Sequence, residues 1–113
     1  MNIKEIRPFV PSKDYDLSKS FYESLGFKGE SAGPDLTIFQ QSDCTFFLQR
    51  YYNEDFANNL MLQLIVENID EAYELVSGLN KVKHSEIKRE SWGSVVYLWG
   101  PSGELWHITE LGS

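Results

Sequence analysis

The chain has 113 residues, of which 42% are hydrophobic and 24% charged. That size and balance fit one globular domain and exclude collagen-like, coiled-coil and intrinsically disordered chains. Seventeen acids against ten bases give a net charge of −7, which argues against a nucleic-acid partner or an anionic membrane surface and would draw cationic ligands over long range.

The first strand is expected over Ile3 to Val10, as an edge strand or one ending early, because Pro8 and Pro11 donate no ladder hydrogen bond. A helix follows from about Tyr15 to Leu25, capped by Asp14 and stopped by Gly26. Leu17, Phe21 and Leu25 share its apolar face. Three strands are expected next, over Phe27 to Ser31, Leu36 to Gln41 and Cys44 to Tyr51, with turn residues between them. Gln49 to Asn59 reads as a polar connector.

The pattern then begins again. Leu60 to Val66 is a nearly continuous apolar strand. Asn68 caps a helix to about Leu79, with Ala72, Leu75, Val76 and Leu79 as its apolar stripe. Strands follow near Val82 to Lys88, Val95 to Trp99 and Leu105 to Leu111, the last two joined by Gly100-Pro101-Ser102-Gly103. The halves overlay in element order: Asp14-Tyr15-Asp16 on Asn68-Ile69-Asp70, and Phe46-Phe47-Leu48 on Trp106-His107-Ile108. The reading is α+β, a single domain over 1–113 with module one at about 1–52 and module two at about 60–113. Each βαβββ module would form a curved mixed sheet with its helix on the outer face and alternate strand residues on the concave face.

No run approaches the ~18 apolar residues of a membrane span, and Met1 to Arg7 lacks a signal peptide's apolar core. The single cysteine, Cys44, excludes an internal disulfide and suits a reducing compartment, so the expected location is cytoplasmic. No glycine-rich nucleotide cradle and no Gly-x-Ser-x-Gly elbow occurs.

Phe21-Tyr22-Glu23-Ser24-Leu25-Gly26-Phe27, and the Trp99 to Ile108 stretch with its Gly-Pro-Ser-Gly turn, resemble the opening helix and closing hairpin of the vicinal oxygen chelate superfamily. Gly100 stands where that hairpin usually carries Asp. The length, the Pro11-Ser12-Lys13-Asp14 start and Trp92-Gly93 resemble the bleomycin resistance proteins most. The resemblance implies the glyoxalase/bleomycin resistance fold, a homodimer, and sequestration of an antibiotic in crevices at the dimer interface, a form of antibiotic resistance. It also implies four metal-ligand positions in the superfamily's enzymes. Here these fall near Pro8 and on Phe47, Met61 and His107. Only His107 is a competent ligand for Mg²⁺, Mn²⁺ or Fe²⁺, so neither metal nor cofactor is expected and an enzyme is disfavoured.

Replacing ligands by Phe47 and Met61 makes the centre apolar and suited to a flat ligand. The candidate ligand-binding residues are Phe47, Met61, Tyr97, His107, Trp92, Tyr51, Phe39 and Trp99. The leading expectation is a metal-free protein that binds a cationic or amphipathic aromatic molecule, bleomycin-like in character. One alternative is a metal-dependent lyase or dioxygenase of the same superfamily. The other is a homodimeric interaction module with no small ligand.

Overall fold

The structure is a computed structural model and describes residues 1–112. In chain order the elements are β1 (Phe9–Pro11), α1 (Tyr15–Ser24), β2 (Lys28–Ser31), β3 (Leu36–Gln41), β4 (Cys44–Gln49), α2 (Glu54–Asn59), β5 (Met61–Ile65), α3 (Ile69–Ser77), β6 (Lys83–His84), β7 (Lys88–Glu90), β8 (Gly93–Trp99) and β9 (Leu105–Leu111). One sheet has the order β1-β4-β3-β2, and the other β5-β9-β8-β6, with β7 also on β8. The two repeat one plan. The first strand of each runs parallel to the last, β1 to β4 and β5 to β9, and the remaining pairs are antiparallel.

Capping starts both long helices as the sequence leads one to expect. Asp14 accepts from the Leu17 N–H at 3.1 Å and Asn68 from the Glu71 N–H at 3.0 Å, each satisfying a first-turn donor that has no partner within the helix. Gly26 follows the C-cap Leu25 at φ +100°, a conformation open to glycine. Asn68→Ala should cost about 1 kcal/mol, read as a fall of about 4 °C in the unfolding midpoint.

Strand alternation separates two faces. Phe39, Phe46 and Leu48 point to the helix side with Val96, Leu98, Trp106 and Ile108, all buried. Tyr22 of α1 joins the halves of this core, with its ring 4.9 Å from that of Phe46 and 5.7 Å from that of Trp106. Phe46 and Trp106, equivalent positions of the two modules, lie 5.5 Å apart. Their strand neighbours Phe47 and His107 therefore point to the opposite, open face.

A buried polar lock sits beside this aromatic core. Glu104 is fully buried. Its carboxylate accepts from the Tyr22 hydroxyl at 2.6 Å and from the Ser102 N–H at 3.0 Å, while the Trp106 indole donates to the Tyr22 oxygen at 3.0 Å. Burial pushes the Glu104 carboxyl above its ordinary range, against the opposing pull of these bonds. Burial, with the adjacent carboxylate, also pushes the Tyr22 phenol up, so it stays the donor. Ser102 Oγ accepts from the Lys13 N–H at 2.7 Å, a second tie from the β8–β9 turn to module one. Gly100 is required here, since a Cβ at that position would lie 2.3 Å from the Glu104 carboxyl carbon.

Several expectations are corrected. The first strand covers only Phe9–Pro11, and Ile3 and Ile6 are exposed. Leu17 and Leu75 are exposed too, because Tyr15, Ser18, Phe21 and Tyr22 form the buried face of α1, and Ile69 and Val76 that of α3. The connector contains α2, capped by Asn53. The expected strand over Val82 to Lys88 splits into β6 and β7. At the break the Ser85 hydroxyl accepts from the Tyr97 N–H at 2.9 Å in place of a backbone carbonyl. His84, expected on the surface, is half-buried against the edge of Tyr73.

Candidate functional site

The open face of the second sheet is built from β5, β9 and β8, with β6 and β7 at its far side. Register places Met61 beside Leu105, Gln63 beside His107, and Tyr97 on the other side of His107. Tyr97 and His107 meet edge to face, with ring centroids 5.0 Å apart and planes at 90°. Trp99 continues this shelf with its centroid 6.5 Å from that of Tyr97. All three rings are half-buried; Met61 and Ile65 on β5 are exposed, as is Leu111 at the far end of β9. His107 Nε2 is buried without a hydrogen-bond partner among the described residues, a desolvated polar group that one further donor or acceptor would satisfy.

Lysine side chains lie over the same rings. Lys83 Nζ sits 4.6 Å from the Trp99 centroid and Lys88 Nζ 5.1 Å from that of Tyr97, both within cation–π range. On the first sheet Phe47 packs against Phe9 at 4.8 Å, with the Arg7 guanidinium 5.6 Å from its ring. Arg7 is paired with Glu5 at 2.9 Å, a bond that lowers the Glu5 carboxyl and raises the Arg7 guanidinium.

The eight sequence-expected residues therefore divide. Met61, Tyr97, Trp99 and His107 come together on one open face. Phe47 occupies the matching position of the other sheet. Phe39 faces the other way: it is fully buried and stacks on Phe46 at 5.4 Å, so it belongs to the core and leaves the candidate set. Tyr51 and Trp92 are half-exposed, in the segment after β4 and the turn before β8. The residues not foreseen are Lys83 and Lys88. Their spacing from the aromatics is set by strand pairing across β8, which the chain order does not display.

Two cavities lie instead between the modules on the helix side. One, of about 270 Å³, is lined by Leu25, Phe27, Leu64, Ala72, Leu75 and Val76, among others. The other, of about 990 Å³, runs past Phe21, Leu79, Val82 and Pro101 and reaches Lys83 and Trp99.

No family model and no curated protein matches the chain. Solved structures do. An antibiotic-binding protein from Streptomyces sp. CB03234 superposes with a TM-score of 0.83 at 20% identity, over 99% of both chains. The bleomycin-binding protein of bleomycin-producing Streptomyces verticillus, complexed with copper(II)-bleomycin, gives 0.81 at 16% identity over 100% of this chain and 99% of that one. A glyoxalase/bleomycin resistance protein/dioxygenase from Nocardioides gives 0.77 at 20% identity over 98% of this chain and 85% of that one.

The chain has the glyoxalase/bleomycin resistance fold.

The metal site of the enzymes with this fold can be tested against the residues present. His107 and Phe47 hold equivalent open-face positions, and the register neighbours of His107 are Gln63 and Tyr97. Among the described residues no three His, Cys, Asp or Glu side chains are grouped to hold an ion. Phenyl, thioether and phenol groups do not replace carboxylates around a hard cation. The donor set does not fit a divalent metal.

Proposed function

We propose that this chain is a metal-free small-molecule-binding protein that sequesters an aromatic ligand on its open face without chemical change. The observation that carries this reading is the shelf of Trp99, Tyr97 and His107, half-buried and ending in an unpartnered ring nitrogen. Stacking and area burial on such rings hold a flat molecule, and the lone nitrogen orients it. Neighbours of the same fold described as bleomycin-binding and antibiotic-binding support an antibiotic of that class as the cargo and resistance as the consequence.

The working unit in this proposal is a homodimer of single-domain chains, modules 1–52 and 60–113 in each, in the cytoplasm. Exposed Met61, Ile65 and Leu111 on the same open face are apolar surface that a second copy would cover. Among the described residues no helix is long and apolar enough to cross a membrane.

Titration of tryptophan fluorescence with bleomycin and with flat aromatic compounds tests the binding reading, since Trp99 lies in the shelf. Saturable quenching is expected, and a flat response across the panel would remove the reading. Sedimentation velocity tests the dimer. Ile65→Lys combined with Leu111→Lys should convert a two-copy species to a single copy, because two desolvated ammonium groups would face the interface. A dimer that binds none of the compounds would favour the pure interaction module.

A further inference from the structure

We infer that the ligand of this shelf is an aromatic anion, a flat ring system carrying a carboxylate or similar group; the inference rests on the binding reading above. The net charge of −7 points the other way, towards a cationic ligand. Local geometry decides against it. Lys83 and Lys88 hold their ammonium groups 4.6 Å and 5.1 Å from the centroids of Trp99 and Tyr97. Among the described residues neither has a carboxylate within 4.0 Å.

The other charges of this sheet are directed elsewhere. Arg89, on the opposite face of β7, pairs with Asp70 at 2.9 Å. Glu110 points to the helix side, where it accepts from the Ile69 N–H. Glu90 shares the open face but sits opposite Gly93, at the end of the sheet away from Trp99. Glu86, between β6 and β7, accepts from the Tyr73 hydroxyl, and among the described residues the two lysines are the cations over the shelf rings.

A flat ligand that stacks on these rings displaces the ammonium groups to its rim. A neutral ligand forfeits their cation–π attraction, and a cation adds repulsion. An anion gives each lysine a carboxylate oxygen in exchange, and His107, in its Nε2–H tautomer, can donate to the same group.

The test uses three matched probes: naphthalene-2-carboxylate, naphthalene-2-carboxamide and naphthalen-2-ylmethylammonium. At low salt the carboxylate should bind about tenfold tighter than the ammonium, with the amide between them. The preference should collapse in Lys83→Gln/Lys88→Gln and at about 0.5 M salt, the carboxylate losing affinity and the ammonium gaining it. Equal or tighter binding of the ammonium, or a preference that survives in the double variant, overturns the inference and leaves aromatic binding standing. Failure of all three probes to bind overturns the binding reading, and the inference with it.

Discussion

Glu104→Ala is expected to lower stability by about 3–5 kcal/mol. The substitution strips the Tyr22 hydroxyl and the Ser102 N–H of their acceptor in a dry interior and leaves a cavity between α1 and the β8–β9 turn. Each orphaned group costs about 1–3 kcal/mol, and the void adds to that. In a urea titration the midpoint should fall by about 2 M. Gly100→Ala should produce a comparable loss, because its new Cβ occupies the space of the same carboxyl. Glu104→Gln keeps the shape and should cost far less.

The Gln variant also isolates a pH effect. Burial raises the folded-state pKa of Glu104 above its ordinary value of 4.5. Between those two values the native state holds more protons than the unfolded chain, so stability falls as pH rises through that window and is fully retained below it. Wild type should therefore lose stability relative to Glu104→Gln as the pH is raised from about 4 towards the raised value. A difference that stays constant with pH would show that the carboxyl titrates alike in both states.

Removing the shelf should have the largest effect on binding. Tyr97→Ala together with Trp99→Ala deletes both stacking faces while leaving the buried Val96 and Leu98 on the other side of β8 in place. Two lost stacking partners and their area should cost about 2.7 kcal/mol, or about 100-fold in affinity for a flat aromatic ligand. Circular dichroism should show the sheet intact. Affinity unchanged in this variant would place the ligand elsewhere, with the cavity beside Leu75 the next surface to examine.

His107 carries an opposite pair of consequences. His107→Leu removes a buried nitrogen that has no partner among the described residues, so it should leave stability unchanged or raise it by about 1 kcal/mol. The same change should weaken ligand binding. Thermal melts of the free and ligand-saturated variant separate the two effects.

Local signals in the chain were enough to define the repeat. Asp14 and Asn68 mark two capped helices because a short polar side chain before an apolar period has few other uses. The overlay of Phe46-Phe47-Leu48 on Trp106-His107-Ile108 carries the two faces of both sheets, and the structure puts Phe46 against Trp106 as that overlay requires. Alternation also held a signal that was not used. Glu104 lies two residues before Trp106 and so belongs to the buried face. Phe39 failed for the same reason in reverse: composition made it a candidate, but its register partner Phe46 put it in the core.

The amino-acid sequence by itself determined the order of elements, their caps and which strand residues share a face, because helix and strand periods are properties of neighbours along the chain. Only the tertiary structure decided that the Gly100–Glu104 turn locks the modules through Tyr22, and that two lysines lie over Tyr97 and Trp99. Those contacts join residues far apart in sequence, through packing and pairing across strands, and no local period encodes such distances.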